Sequence, residues 1–322
     1  MPVHDLGYRE WIGKRNHPLI RPLYVARSGI MLIWRRKMLK LLLMVAWLPI
    51  IIPSLGVFCF EQAISDPQYM RPLSQLLRGP LQRPDLAVEM LQDPVSVRHE
   101  FWSIMILGFF RAPQLYSMIL LIGLIAPLLV SYDLRSKAYL QYFSRPLSPS
   151  EYILGKSAVI WFFLGMITTL PGLVLYLLGI LLSPELSVVT TTWDIPIRIL
   201  LASVALIVPT TALALSYSAC TVENRYASFA WFATWIMGFV AHQILSNPPG
   251  SGRGRGRMGD RMIDTERWHL ISPYHTLGKV ESWIFGLDTG EASVWPAIFV
   301  LLAITAIGTF FVRSRLIAKL SI

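Results

Sequence analysis

Charge is scarce in this chain of 322 residues: Asp, Glu, Lys and Arg together make up 15%, where a soluble domain carries about 25%. Too few polar groups remain to cover a water-facing surface. A soluble globular fold and an extensively disordered chain are both excluded. Cysteine is nearly absent. Cys59 and Cys220 are the only two, and both lie in apolar runs, so neither a disulfide scaffold nor a paired-cysteine metal site can be built. The histidines are His4, His17, His99, His242, His269 and His275, and none has the spacing of a zinc-binding or other close ligand motif. No GxSxG elbow is present. The stretch SEYILGKS at 150–157 imitates the end of a phosphate-binding loop. Its first glycine is missing, and it leads into an apolar run instead of following a strand. We therefore expect no catalytic, metal-binding or nucleotide-binding residues in this chain.

What the chain has is hydrophobic length. Hydrophobic residues reach 54% and mean hydropathy is +0.52. Six windows, 41–60, 114–132, 157–182, 199–220, 227–245 and 294–312, contain no Asp, Glu, Lys or Arg. A helix of about 20 apolar residues crosses the ~30 Å hydrocarbon layer, and each charge at its centre costs about 2.5–3.5 kcal/mol on insertion scales. The expected fold is an all-α membrane protein with six transmembrane helices occupying 41–312. Prolines at 49, 53, 127, 171 and 209 predict kinks, which bilayer helices tolerate when neighbours satisfy the freed carbonyls. Ionisable groups within the spans mark most proton-coupled carriers and intramembrane proteases; their absence from these windows argues against both.

The net charge of +10 would suggest nucleic acid in a soluble protein. Its distribution points elsewhere. With the N-terminus inside, the segments 1–40, 133–156, 221–226 and 313–322 hold 17 Lys or Arg against 5 Asp or Glu; the outer segments 61–113, 183–198 and 246–293 hold 12 against 14. That asymmetry is the positive-inside signal. It predicts a multi-pass protein of the cell membrane with both termini, 1–40 and the tail 313–322, in the cytoplasm, and no nucleic-acid partner. The first apolar run starts too far from the terminus for an ordinary signal peptide.

Between the runs, residues 19–40 place Leu19, Leu23, Ala26, Ile30 and Ile33 at helical spacing beside Arg27, Arg35, Arg36 and Lys37. This fits an amphipathic helix in the membrane interface better than a bare basic flank. The outer segment 61–113 is proline-rich, and its apolar stretch 101–110 is too short to span. It is re-entrant, interfacial, or an outward extension of the second span. The loop at 250–261 alternates Gly and Arg and reads as a flexible outer connection, not an RNA-binding tract. The following segment has an aromatic, amphipathic pattern suited to a return to the interface. In the loop 133–156, Ser148-Pro149-Ser150-Glu151 carries the signature of a capping box, opening the third span. The preceding stretch around Leu134 to Phe143 reads as a short amphipathic helix.

That loop resembles the ABC-2 type transporter permeases. The run is Ile125-Ala126, Asp133-Leu134-Arg135, then Ala138-Tyr139-Leu140-Gln141-Tyr142-Phe143-Ser144-Arg145-Pro146-Leu147-Ser148 and Glu151-Tyr152-Ile153-Leu154-Gly155-Lys156. Leu215-Ser216-Tyr217-Ser218-Ala219-Cys220, followed by Asn224-Arg225 and Ala227, is similar to the end of that family's fourth span. The resemblance implies the membrane subunit of an ABC exporter, in the plasma membrane of a prokaryote. Its partners would be a second permease copy or homologue, membrane lipids and a separate cytoplasmic ABC ATPase. That ATPase would hold ATP and magnesium; no cofactor is implied in this chain. The loop 133–151 would be the coupling helix, with Asp133, Arg135, Tyr139, Tyr142, Phe143, Arg145, Pro146 and Glu151 as coupling candidates. Arg135 and Arg145 would pair with the ATPase and Tyr142 and Phe143 would fill its groove, whereas Glu151 belongs to the helix cap. Two other readings share the sequence: a non-transporting membrane anchor for an ATPase, and a membrane-embedded lipid-modifying enzyme.

Overall fold

The structure, a computed structural model, describes residues 20–81, 83–138, 142, 147–184, 187–246, 268–288 and 293–320. Among these, all regular structure is helical, and six helices are long and apolar enough to cross a membrane: Lys37–Ile64, Arg98–Arg135, Pro149–Leu182, Ile195–Cys220, Asn224–Ser246 and Trp295–Ala318. We number them as the first to sixth spans. The first five each contain one of the charge-free windows, and the sixth covers all but the first residue of 294–312.

The helices reach past those windows. The second span is 38 residues long and the third 34. At 1.5 Å per residue these are about 57 and 51 Å, far more than the ~30 Å of hydrocarbon. The stretch 101–110 is therefore the outward extension of the second span. Its continuity was hidden by Arg111 and Pro113. Proline lacks the N–H needed for an interior helical bond, and the chain accommodates it with a wider π-turn at Gln114–Met118 before resuming as Ile119–Leu129. Breaks accompany two of the five prolines, whereas Pro53, Pro127 and Pro209 lie inside continuous helical segments. Pro49 sits in a 3-10 turn at Leu48–Ile50, and the third span breaks at Thr168 (φ −123°, ψ −64°), three residues before Pro171.

An N-terminal helix, Arg21–Trp34, lies against the start of the third span. Val25, Ala26, Gly29 and Ile33 face the bundle and Leu23 is exposed. The expected helix is present, and glycine sets its closest approach to the third span. A Cβ on Gly155 would stand 2.7 Å from the Val25 Cβ and 2.9 Å from the Pro22 carbonyl oxygen. Only glycine permits that approach.

Two apolar cores result. One, around Ile125, Val159, Phe163, Leu206, Trp231 and Leu277, fills the bundle. The other straddles the outer ends of the windows. There the ends of the first three spans and the start of the fourth pack with the short helices Met70–Arg78 and Pro84–Gln92 around Phe60, Phe101, Trp102 and Phe109. At its centre Glu61, fully buried, accepts from Trp102 Nε1 at 2.8 Å and Ser183 Oγ at 3.0 Å and pairs with Arg98 at 3.2 Å. One carboxylate thus ties three spans together. The helix Pro273–Ile284 packs among the second, fourth, fifth and sixth spans at the same end.

Candidate functional site

The end of the bundle bearing the loop 133–156 is assembled from the third span upward. Ser148 Oγ accepts from the Glu151 backbone N–H at 3.2 Å, and the Ser148 N–H donates to Glu151 Oε2 at 2.7 Å. With Pro149 at the first helical position, this is a reciprocal capping box. Glu151 is thus occupied by the cap, and it lies 4.0 Å from Arg21 of the N-terminal helix.

One turn further on, Tyr152 and Lys156 point back at the second span. The Tyr152 hydroxyl donates to Asp133 Oδ2 at 2.7 Å, and Lys156 Nζ stands 2.6 Å from the same oxygen. Asp133 is 6% exposed and Lys156 4%. A buried carboxylate needs this many partners, because its desolvation is otherwise uncompensated. Asp133 is thus an internal latch between the two spans, not a surface contact. Tyr142 closes over it: its ring lies 5.5 Å from that of Tyr152, and Lys156 Nζ is 5.4 Å from its centre. Burial, and then the Asp133 charge, push the Tyr142 phenol above its ordinary pKa. Arg135 is exposed and reaches Glu223, between the fourth and fifth spans, at 3.6 Å. Two serines complete the ties. Ser131 Oγ donates to the Ser218 carbonyl at 2.7 Å, and Ser218 Oγ to that of Ala126 at 2.7 Å. Tyr139, Phe143, Arg145 and Pro146 lie outside the described residues, as do 1–19 and the Gly-Arg loop.

So Asp133 and Tyr142 are brought together, whereas Glu151 is held in the cap beside Arg21 and Arg135 pairs with Glu223. Tyr152 and Lys156, which hold the arrangement, were not among the expected coupling residues. Their spacing was the available signal: a tyrosine and a lysine at i and i+4 share one helix face.

A second polar cluster, at the opposite end, was not expected. His242, His269 and His275 converge there. His242 Nε2 is 3.1 Å from His269 Nδ1, and the His242 and His275 rings stack at 3.5 Å. Stacked faces do not converge their nitrogens on one point, and among the described residues no group of three or more His, Cys, Asp or Glu is arranged to hold a metal. Arg111 lies 3.5 Å from the Tyr274 ring centre, donates to the Tyr274 carbonyl at 2.7 Å and to Gln114 Oε1 at 3.1 Å, and is 3.7 Å from Glu281. Gln114, in the π-turn, donates to Glu281 Oε1. Burial pushes the Glu281 carboxyl up to about 7 and, with the neighbouring His242, His269 and Arg111 charges, takes His275 down to about 4. No sequence spacing announces this cluster, because its members come from three separate segments.

Length, apolarity and fold define a multi-pass helical membrane protein. No protein-family model matches the chain, and no curated protein matches it.

Proposed function

We propose that this chain is the permease subunit of an ABC transporter of exporter type, paired with a second permease and driven by a separate ATPase docked beneath the loop 133–151. The chain itself carries no hydrolytic step; ATP and magnesium belong to the partner. The observation that supports this reading is the latch. Asp133 ends the second span, and Tyr152 and Lys156 begin the third. A push on the loop between them is therefore transmitted to both spans at once instead of being absorbed by a slack connector. Tyr142 packed on the latch, together with the loop's resemblance to ABC-2 permeases, gives the push a place to act.

The test is co-purification in mild detergent, with bound chains identified by mass spectrometry. The intact chain should retain a nucleotide-binding ATPase. A variant with Tyr142, Phe143 and Arg145 all changed to Ala should lose it while remaining monodisperse. A well-behaved intact chain with no ATPase partner sinks the proposal. An ATPase that binds but drives no movement of solute or lipid across reconstituted vesicles favours the anchor reading instead.

A further inference from the structure

A groove of about 310 Å³ opens on the side of the bundle between the third, fourth and sixth spans. That is within the ~300–1,000 Å³ of small-molecule sites. Its walls are mostly apolar, Ile153, Leu154, Val208 and Leu215 among them, with Ser150 and Arg313 at one end and Trp161 at the other. From Ser150 to Trp161 the third span rises about 16 Å at 1.5 Å per residue, half the ~30 Å hydrocarbon layer. The groove is one leaflet deep. The fourth and sixth spans run the other way, from Val208 to Leu215 and from Thr305 to Arg313, and line the same depth.

Two polar features distinguish it from a plain lipid-facing crevice. Arg313 is exposed at the mouth and makes no ion pair among the described residues. The other arginine nearby, Arg315, lies over the Phe311 ring. On the wall, the Thr211 hydroxyl is buried with no hydrogen-bond partner in the protein. That hydroxyl is enclosed, so recognition of an occupant falls to Arg313 and Ser150 at the mouth.

We propose that this groove holds one anionic phospholipid of the leaflet on the Lys/Arg-rich side, its acyl chain along the apolar wall and its phosphate on Arg313 and Ser150. Guanidinium and phosphate match in charge and in fork geometry. An unpaired cation at the mouth of an apolar slot one leaflet deep selects a molecule that is acidic at one end and a hydrocarbon chain at the other. The inference rests on the membrane reading and is independent of any ATPase.

The test is native mass spectrometry of the full chain in detergent, titrated with phosphatidylglycerol or phosphatidylcholine. The unmodified chain should hold one phosphatidylglycerol in preference to phosphatidylcholine. Arg313→Ala should need about ten times more phosphatidylglycerol to reach half saturation, the scale of losing a charge-assisted contact; Arg315→Ala should not. Leu154→Trp, which narrows the slot without touching charge, should weaken phosphatidylglycerol as well. Equal retention of the two lipids by the unmodified chain, or equal loss in the two arginine variants, overturns the proposal. So does displacement of the lipid by inorganic phosphate alone, which would mean a headgroup site with no use for the slot.

Discussion

Glu281 and His275 lie one helix face apart and are perturbed in opposite senses, which gives the pH dependence of stability a definite form. Glu281 is fully buried. Gln114 donates to one carboxylate oxygen, while Arg111, at 3.7 Å, is too far to hydrogen-bond the other. Burial raises its pKa to about 7, above the unfolded value, so the native state binds the proton more tightly. Its contribution is present at low pH and is lost as pH climbs from about 4.3 towards 7, a span worth roughly 4 kcal/mol. His275 does the reverse. Its pKa falls to about 4, so its contribution is present above about 6.5 and is lost as pH drops towards 4. Over the shared window the two slopes oppose each other. Glu281→Gln should leave thermal stability in detergent rising with pH up to about 6.5, and His275→Gln should leave it falling as pH increases. Slopes of the same sign in both variants would mean that these groups do not carry the effect.

At the scale of elements, close approach is governed by glycine. The N-terminal helix reaches the third span only because Gly155 lacks a Cβ that would meet the Pro22 carbonyl. Backbone cannot rotate away as a side-chain tip can. Gly155→Ala should therefore lower the unfolding midpoint by an amount equivalent to about 1–3 kcal/mol of overpacking. Gly108→Ala, in the second span with nothing within 4 Å, should raise it, since alanine gains up to about 1 kcal/mol of helix propensity over glycine. A fall in both would show that packing at Gly155 is not the cause. The same two helices show how far the sequence could be read. Six charge-free runs and the Ser148–Glu151 cap were legible because hydropathy and capping are local properties. The face of the N-terminal helix was legible only in part. Periodicity picked out Ala26 and Ile33, which are buried, but not Gly29 and Gly155, where the closest approach is made and which hydrophobic patterning does not count. The continuity of the second span was hidden for a related reason. Arg111 looks like an end of membrane until the Tyr274 carbonyl and Gln114 are seen to satisfy it; the first is 163 residues away and the second is placed by the π-turn it opens. The latch of Asp133 with Lys156 depends equally on the fold.

For the whole molecule the decisive quantity is sidedness. Ties at both ends make the first four spans a connected body: Glu61 with Arg98 and Ser183 at one end, Asp133 with Lys156 and Ser131 with Ser218 at the other. The docking of an ATPase and the leaflet of a bound lipid both depend on which end faces the cytoplasm. The Lys/Arg asymmetry predicts that this is the end with Arg135 and Arg313. Ser136 and Thr190 lie on either side of the third span, and both are exposed, so a single crossing places them on opposite faces of the membrane. Cys220 is exposed and free, and Cys59 is free and partly buried; both are first changed to Ser to give a silent background. In intact cells a membrane-impermeant maleimide should then label Thr190→Cys and spare Ser136→Cys, and permeabilisation should expose Ser136→Cys. The opposite pattern would put the loop 133–151 outside, beyond reach of any ATP, and end the transporter proposal. It would leave the groove beside Arg313 intact but move its lipid to the outer leaflet. Labelling of both residues from one side would contradict the third span itself.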